Sequence, residues 1–292
     1  MTACINSHCA AKNKVISADN FLVNDSTNTA ILPGIGIESA TTTITQDIRD
    51  IAAFGNAEYK VTDTISLLAG ARYTDSRNDF TGCMRGAPGH RFTFWQLSQL
   101  ISGVTQPAPD ASTCVNLDQT TFLLIRTPDE SRLKEHNFSW RAGVNYKPSR
   151  DLLVYGLVSR GFKSGSFPTV PASTTFQFAP VKQESVTAYE VGVKATALDR
   201  KLQVNAAIFH YVYDDKQIRG IVIDPIFNQL EKLVNIPKSR INGAEIDVTL
   251  RPVSGLTLRA AGTYVDSKVL EFVGINNDRV TGDYRGSALP FS

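Results

Sequence analysis

The chain has 292 residues, 42% of them hydrophobic and 20% charged, with a formal net charge of +2. Near-neutrality removes the electrostatic case for nucleic-acid binding. No run of about 18 apolar residues occurs, which excludes a membrane-spanning helix but not spanning strands, where only alternate side chains meet lipid.

The first residues, Met1-Thr-Ala-Cys-Ile-Asn-Ser-His-Cys9, have no basic stretch followed by an apolar one, so they do not form a secretory signal. Residues 1–43 are rich in Thr, Asn and Ser and are expected to be loop, with a short strand at Val15–Val23. Strand one is expected from about Thr45 to Tyr59, a turn at Lys60–Thr64, and strand two from Ile65 to about Asp79. Ile65, Leu67, Ala69, Ala71 and Tyr73 share one face of strand two; Ser66, Gly70, Arg72 and Thr74 share the other, with Leu68 the exception.

Residues 80–130 are expected to form a long loop, with a strand-like ledge at Thr121–Arg126. A soluble domain seldom carries so long a connection without structure of its own. Strand three covers Leu133–Lys147, with Phe138, Trp140, Ala142, Val144 and Tyr146 alternating against Ser139, Arg141, Gly143, Asn145 and Lys147. After the turn Pro148–Asp151, strand four is Leu152–Lys163, less cleanly alternating. Residues 164–182 make a second loop and 218–235 a third. Strand five is Glu184–Ala197 and strand six Lys201 to about Lys216; strand seven is about Ser239–Arg251 and strand eight Leu256 to about Lys268.

This gives eight strands, each longer than the five or six residues usual in soluble sheets, joined by short turns at one end and long inserts at the other. That is the layout of an antiparallel up-and-down outer-membrane barrel: all-β, with short periplasmic turns and long extracellular loops. Charge placement agrees. Arg72, Arg141, Glu190, Lys194, Glu245, Asp247 and Arg259 all lie on the polar face of their strands. A basic side chain turned to lipid at the midplane costs about 2–4 kcal/mol, so these seven are expected to face a wet lumen. A two-layer sandwich explains the alternation but neither the strand length nor the one-sided loops.

Catalysis and metal binding find little support. His8, His90, His136 and His210 are scattered, no phosphate-cradling Gly loop appears, and no Ser lies in a Gly-x-Ser-x-Gly context. No catalytic residue, resident metal or cofactor is expected; calcium at Asp214, Asp224 and Glu231 is less favoured than a solvated loop. The four cysteines favour two disulfides, Cys4–Cys9 and Cys83–Cys114, although sequence alone allows three pairings. Aromatics on the long inserts (Phe92, Phe94, Trp95, Phe167, Phe176, Phe178 and Phe227), beside Arg85, His90, Arg91 and Lys163, are candidates to hold an apolar, anionic ligand by stacking and charge. The competing reading is that they pack the loops against one another.

Several segments resemble one family in its own order. Ala53-Phe-Gly-Asn-Ala-Glu-Tyr59 with Leu68-Ala-Gly-Ala-Arg-Tyr-Thr74 is similar to a mid-barrel hairpin of the TonB-dependent outer-membrane receptors. Ser159-Arg-Gly-Phe-Lys-Ser-Gly165, Glu184–Lys194, Asn205–Asp215, Asn242-Gly-Ala-Glu-Ile-Asp247 and Gly286-Ser-Ala-Leu-Pro290 continue the series. The resemblance implies a portion of a twenty-two-stranded barrel whose lumen is closed by a plug domain that this chain lacks. It implies outer-membrane lipid and the TonB complex as partners, and a scarce, large nutrient, most often a ferric siderophore, as the ligand. The expected organisation is a loop region at 1–43, a partial receptor barrel at 44–268 and a truncated loop at 269–292. The missing signal and plug point to a fragment or a gene lacking its start. Two rivals stand beside this: a small complete barrel serving as adhesin or structural protein, and a secreted glycan-binding sandwich. As eight strands of a larger cylinder, the sheet is expected to be open, or to close artificially between its first and last strands.

Overall fold

The computed structural model describes residues 10–11, 16–18, 40–86, 92–275 and 280–290. Eight long strands follow the chain: β1 (Ala40–Lys60), β2 (Ile65–Gly86), β3 (Asp129–Ser149), β4 (Leu152–Lys163), β5 (Glu184–Ala197), β6 (Leu202–Asp224), β7 (Asn228–Leu250) and β8 (Leu258–Glu271). Each pairs antiparallel with its sequence neighbour in one continuous sheet. The short strands Ala10–Ala11 and Ile16–Ala18 both lie against β1. Among the described residues β1 and β8 do not pair, so the sheet is open, and no second large sheet stacks on it. That arrangement is not a two-layer sandwich.

The turns at one end are short because local side chains close them. Thr62 Oγ1 accepts the backbone N–H groups of Thr64 and Ile65 at 3.2 and 3.0 Å between β1 and β2. Gly255, at φ +83°, takes the left-handed position in the β7–β8 turn, where a side chain would be strained. Leu198, Asp199 and Arg200 turn β5 into β6 through left-handed backbone.

The opposite end departs from the sequence reading in three places. β2 does not stop near Asp79 but continues to Gly86. The stretch read as a loop from 80 to 130 holds an α-helix, Phe92–Ser102, and a small hairpin of Asn116–Leu117 with Leu124–Ile125. The helix buries Phe94, Leu97 and Ser98, a spacing of three and four residues, and ends at Gly103, whose φ is +69° and whose N–H donates to the Gln99 carbonyl at 3.0 Å. The third long loop, 218–235, is not a loop at all. β6 and β7 pair continuously from Ile218–Val234 to Asp224–Asn228, forming a two-stranded ribbon. Pro237 is accommodated because it falls opposite Asp215, a left-handed residue at which the ladder makes no pair.

Candidate functional site: two faces and a loop layer

Register fixes which side chains share a face, since directly paired residues of antiparallel strands point the same way. One unbroken row runs Leu67–Val144–Gly156–Val191–Ile208–Ala244–Tyr264 across β2 to β8. The neighbouring row runs Ile65–Tyr146–Val154–Val193–Ala206–Ile246–Gly262. This face is apolar and uncovered: Val191, Ile208 and Tyr264 are 55%, 63% and 69% exposed. An uncovered apolar face of this extent is far beyond what a soluble monomer shows.

Aromatic residues bound the apolar band and reveal its slope. Tyr73 and Phe138 are paired at the upper edge on β2 and β3. Six strand spacings away, the boundary residue Tyr264 is level with Leu67, six residues below Tyr73. Tyr189 on β5 lies between, level with Ala69. A descent of six residues at ~3.3 Å over six spacings of ~4.8 Å corresponds to strands tilted by about 35°, within the range of transmembrane barrels. The tilt emerges from aromatic placement and pairing alone.

The opposite face carries the charges. Arg72, Arg141, Glu190, Lys194, Glu245, Asp247 and Arg259 all fall on it by register, through pairs such as Gly70–Arg141, Leu157–Glu190, Ala207–Glu245 and Thr249–Arg259. None forms an ion pair with a described residue. Their contacts are to neutral groups: Arg141 donates to Asn56 Oδ1 at 3.0 Å, Arg72 Nε to Thr74 Oγ1 at 3.0 Å, and Asp247 Oδ1 accepts from Asn205 at 3.4 Å. Arg72 and Arg141 sit on β2 and β3 and Arg259 on β8, while Glu190 and Lys194 share β5 and Glu245 and Asp247 lie on β7. Tyr155 also lies on this charged face, where its hydroxyl donates to Glu190 Oε1 at 2.7 Å. Gly192 makes this possible: a Cβ there would come within 2.5 Å of the Tyr155 ring.

Above the band, the long connections fold back over the sheet and enclose cores of their own. Ile44, Phe80, Phe167, Ala172 and Phe178 form one cluster, and Met84, Phe94, Leu97, Val115, Leu117 and Leu124 another. Phe94, Phe167 and Phe178 are only 4%, 2% and 1% exposed. The structure therefore places these three ligand candidates inside the loops' own packing, where contact between apolar rings outweighs display. Trp95 packs against the cluster that holds Phe94, and its indole N–H donates to the Gln106 carbonyl at 2.9 Å. Phe176 remains partly open, with Lys232 Nζ 3.4 Å from its ring centroid; burial lowers the Lys232 pKa. Arg85 donates to the Ser112 carbonyl at 3.3 Å. Phe92 opens the helix. His90 and Arg91 lie outside the described residues, as do Cys4 and Cys9.

Cys83 and Cys114 are joined by a disulfide that fixes the helical insert to the end of β2. Polar residues that no periodicity singles out complete the layer. Asn116 accepts from the Met84 N–H and donates to the Ala172 carbonyl, both at 2.7 Å. Gln177 accepts from the Ser173 N–H at 2.7 Å and donates to the Glu231 carbonyl at 3.0 Å. The ribbon tip docks on the helical insert through Phe227 against Phe94 and Gln119 on the buried Asp224 carboxylate. The remaining Asp224 oxygen accepts from the Ile226 and Phe227 N–H groups, while Asp214 and Glu231 face Arg160 and Arg219. Among the described residues, no cluster of three metal-ligating side chains occurs.

Against known proteins, the family model for the TonB-dependent receptor-like β-barrel matches residues 14–292. The ferric yersiniabactin uptake receptor FyuA of Yersinia pestis superposes with a TM-score of 0.59 at 17% identity, over 86% of this chain and 30% of that one. The siderophore receptor PiuA of Acinetobacter baumannii gives 0.52 at 15%, over 86% and 30%. The ferric-catecholate import receptor Fiu of E. coli K12 gives 0.51 at 16%, over 83% and 31%. The chain thus spans about a third of the length of these structures, which share its fold. With one long antiparallel sheet, an apolar face tilted to cross a bilayer and a family match over nearly its whole length, this chain belongs to the TonB-dependent receptor β-barrel family.

Proposed function

We propose that the chain forms part of the wall of a Gram-negative outer-membrane receptor for energised uptake of a scarce, large nutrient, with a ferric siderophore as the ligand class. The apolar face meets lipid, the charged face lines the lumen, and the loop layer stands at the extracellular end. The observation that carries this reading is the segregation of seven ionised side chains onto the face opposite an uncovered, tilted apolar band. Because these charges have no ion-pair partner among the described residues, they are free to meet one from elsewhere. A plug domain that is withdrawn or rearranged by the TonB complex is the partner this wall fits. Its acids would face Arg72 and Arg141, and its bases would face Glu190, Glu245 and Asp247. Ligand capture falls to the exposed rim of the loop layer, where Phe176 and Lys232 offer a ring and a cation together.

The test is accumulation of radioiron-labelled siderophores by iron-starved cells with and without the full-length gene. Uptake of at least one chelate that requires both the gene and the TonB complex supports the reading. Accumulation unchanged by the gene across hydroxamate, catecholate and mixed chelates contradicts the ligand class.

A further inference from the structure

We propose that Arg160, Arg240 and Lys268 form a docking site on the lipid-facing surface for a phosphate-bearing lipid headgroup of the outer leaflet. The inference rests on the membrane placement proposed above. The three residues lie on one hydrogen-bonded row, Arg160–Thr187–Val212–Arg240–Lys268, crossing β4 to β8. That row belongs to the apolar face and lies just beyond the tyrosine boundary. On β8 the outward residues read Tyr264, Asp266, Lys268; on β5 they read Tyr189, Thr187. It is therefore at headgroup depth, on the side of the long loops.

Arg240 and Lys268 are directly opposite one another, an arrangement of like charges that destabilises a strand pair unless an anion lies between or beside them. The nearby acids are already engaged. Asp214 faces Arg160 at 3.9 Å, Asp266 faces Lys268 at 3.9 Å, and Glu271 is the strand partner of Lys238. Arg240 has no ion pair among the described residues. Its Nε, like that of Arg160, is shut from solvent without an acceptor. Leaving a guanidinium N–H dry and unbonded is costly; the Nη groups of Arg240 are not shut away in this manner, and a phosphate, which a guanidinium binds in bidentate fashion, meets them and offsets that cost. Tyr264, Tyr189 and Val212 supply an apolar floor suited to the acyl chains below such a headgroup. His210, one row nearer the membrane centre, is held by Asn242 at 2.6 Å and completes the polar fringe.

The test is native mass spectrometry of the full-length protein in detergent, titrated with lipid A, with its dephosphorylated form and with inorganic phosphate. Lipid A is expected to remain bound, and the double variant Arg240→Gln/Lys268→Gln to bind it about tenfold more weakly. Arg219→Gln, a distant exposed arginine paired with Glu231, serves as the control and should bind as the parent does. Retained heat-modifiable migration shows that the double variant is folded. Equal binding by parent and double variant overturns the site while leaving the membrane assignment intact. Equal affinity for the dephosphorylated lipid, or for inorganic phosphate, also overturns it. A protein that stays monodisperse in buffer without detergent overturns the membrane assignment itself.

Discussion

Between Leu67 and Tyr73, β2 leaves its large apolar side chains bare, whereas Phe80 and Met84 further along the same strand are enclosed by loops. The same secondary structure serves two different solvents. The middle of the sheet has no core; its apolar partner must come from outside the chain, and its stability rests on cross-strand ladders and on lipid. The long-connection end is organised like a small soluble domain, with three apolar clusters, a disulfide and polar side chains that tie one connection to the next. Charge follows the same division. In mid-sheet the ionised groups have neutral neighbours, while beyond the aromatic boundary Asp79 is gripped by Arg77 and Arg132, and those bonds hold its carboxyl below the ordinary range.

If the two regions are independent, substitutions will damage one and spare the other. The largest effect is expected from Phe178→Ala, which removes a ring that is 1% exposed from the loop core. It should cost the loop layer about 3–5 kcal/mol, read as faster amide exchange across residues 164–183 with no change in β5 to β8 at mid-membrane. Next, Ile246→Arg on the apolar face should cost about 2–4 kcal/mol in denaturant titrations of bilayer-folded protein, while Asn205→Arg on the charged face costs little. Comparable losses for both would erase the distinction between faces. Replacing Cys83 and Cys114 together by serine should release about 2–4 kcal/mol of constraint, visible as proteolytic nicking within residues 103–113 while the mid-sheet stays protected.

The smallest effect is electrostatic. Asp110 accepts from the hydroxyl and N–H groups of Ser112 and Thr113, and these bonds hold its pKa down at about 2. A depressed carboxyl pKa stabilises the folded form above the ordinary carboxylate range. That contribution is lost as pH falls from about 4 through about 2. Amide protection in residues 110–113, taken relative to the intrinsic exchange rate at each pH, should therefore fall over that window, and in Asp110→Asn it should not change with pH.

The sequence disclosed the mid-sheet well because lipid on one side and water on the other impose a strict alternation. Ile65 to Tyr73 and Phe138 to Tyr146 obey it, and the turns between strands are marked by Pro, Gly, Asp and Thr. Beyond the boundary both faces can be covered, so the alternation fades. Phe80, Gly82, Cys83 and Met84 are all buried, and β2 could not be followed past Asp79. The β6–β7 ribbon was hidden by Gly220, Pro225 and Pro237, which read as loop punctuation. Pro225 in fact lies in the turn, and Pro237 sits at an unpaired position. Whether an insert aromatic is displayed or packed depends on partners distant in the chain, such as Phe80 with Phe167 and Phe178, and local pattern does not report this. The charged candidates were legible on strands because parity alone assigns their face. The row Arg160, Arg240 and Lys268 was not legible, because it exists only once five strands are in register.

The most direct measurement of the central claim uses single fluorophore-labelled cysteines at Val191, Ile208 and Ile246, and at Glu190, Asn205 and Glu245, in the full-length protein reconstituted with brominated lipid. Strong bromine quenching at the first three positions and weak quenching at the second three is the result expected here. Equal quenching of the two sets, or the reverse order, would contradict it.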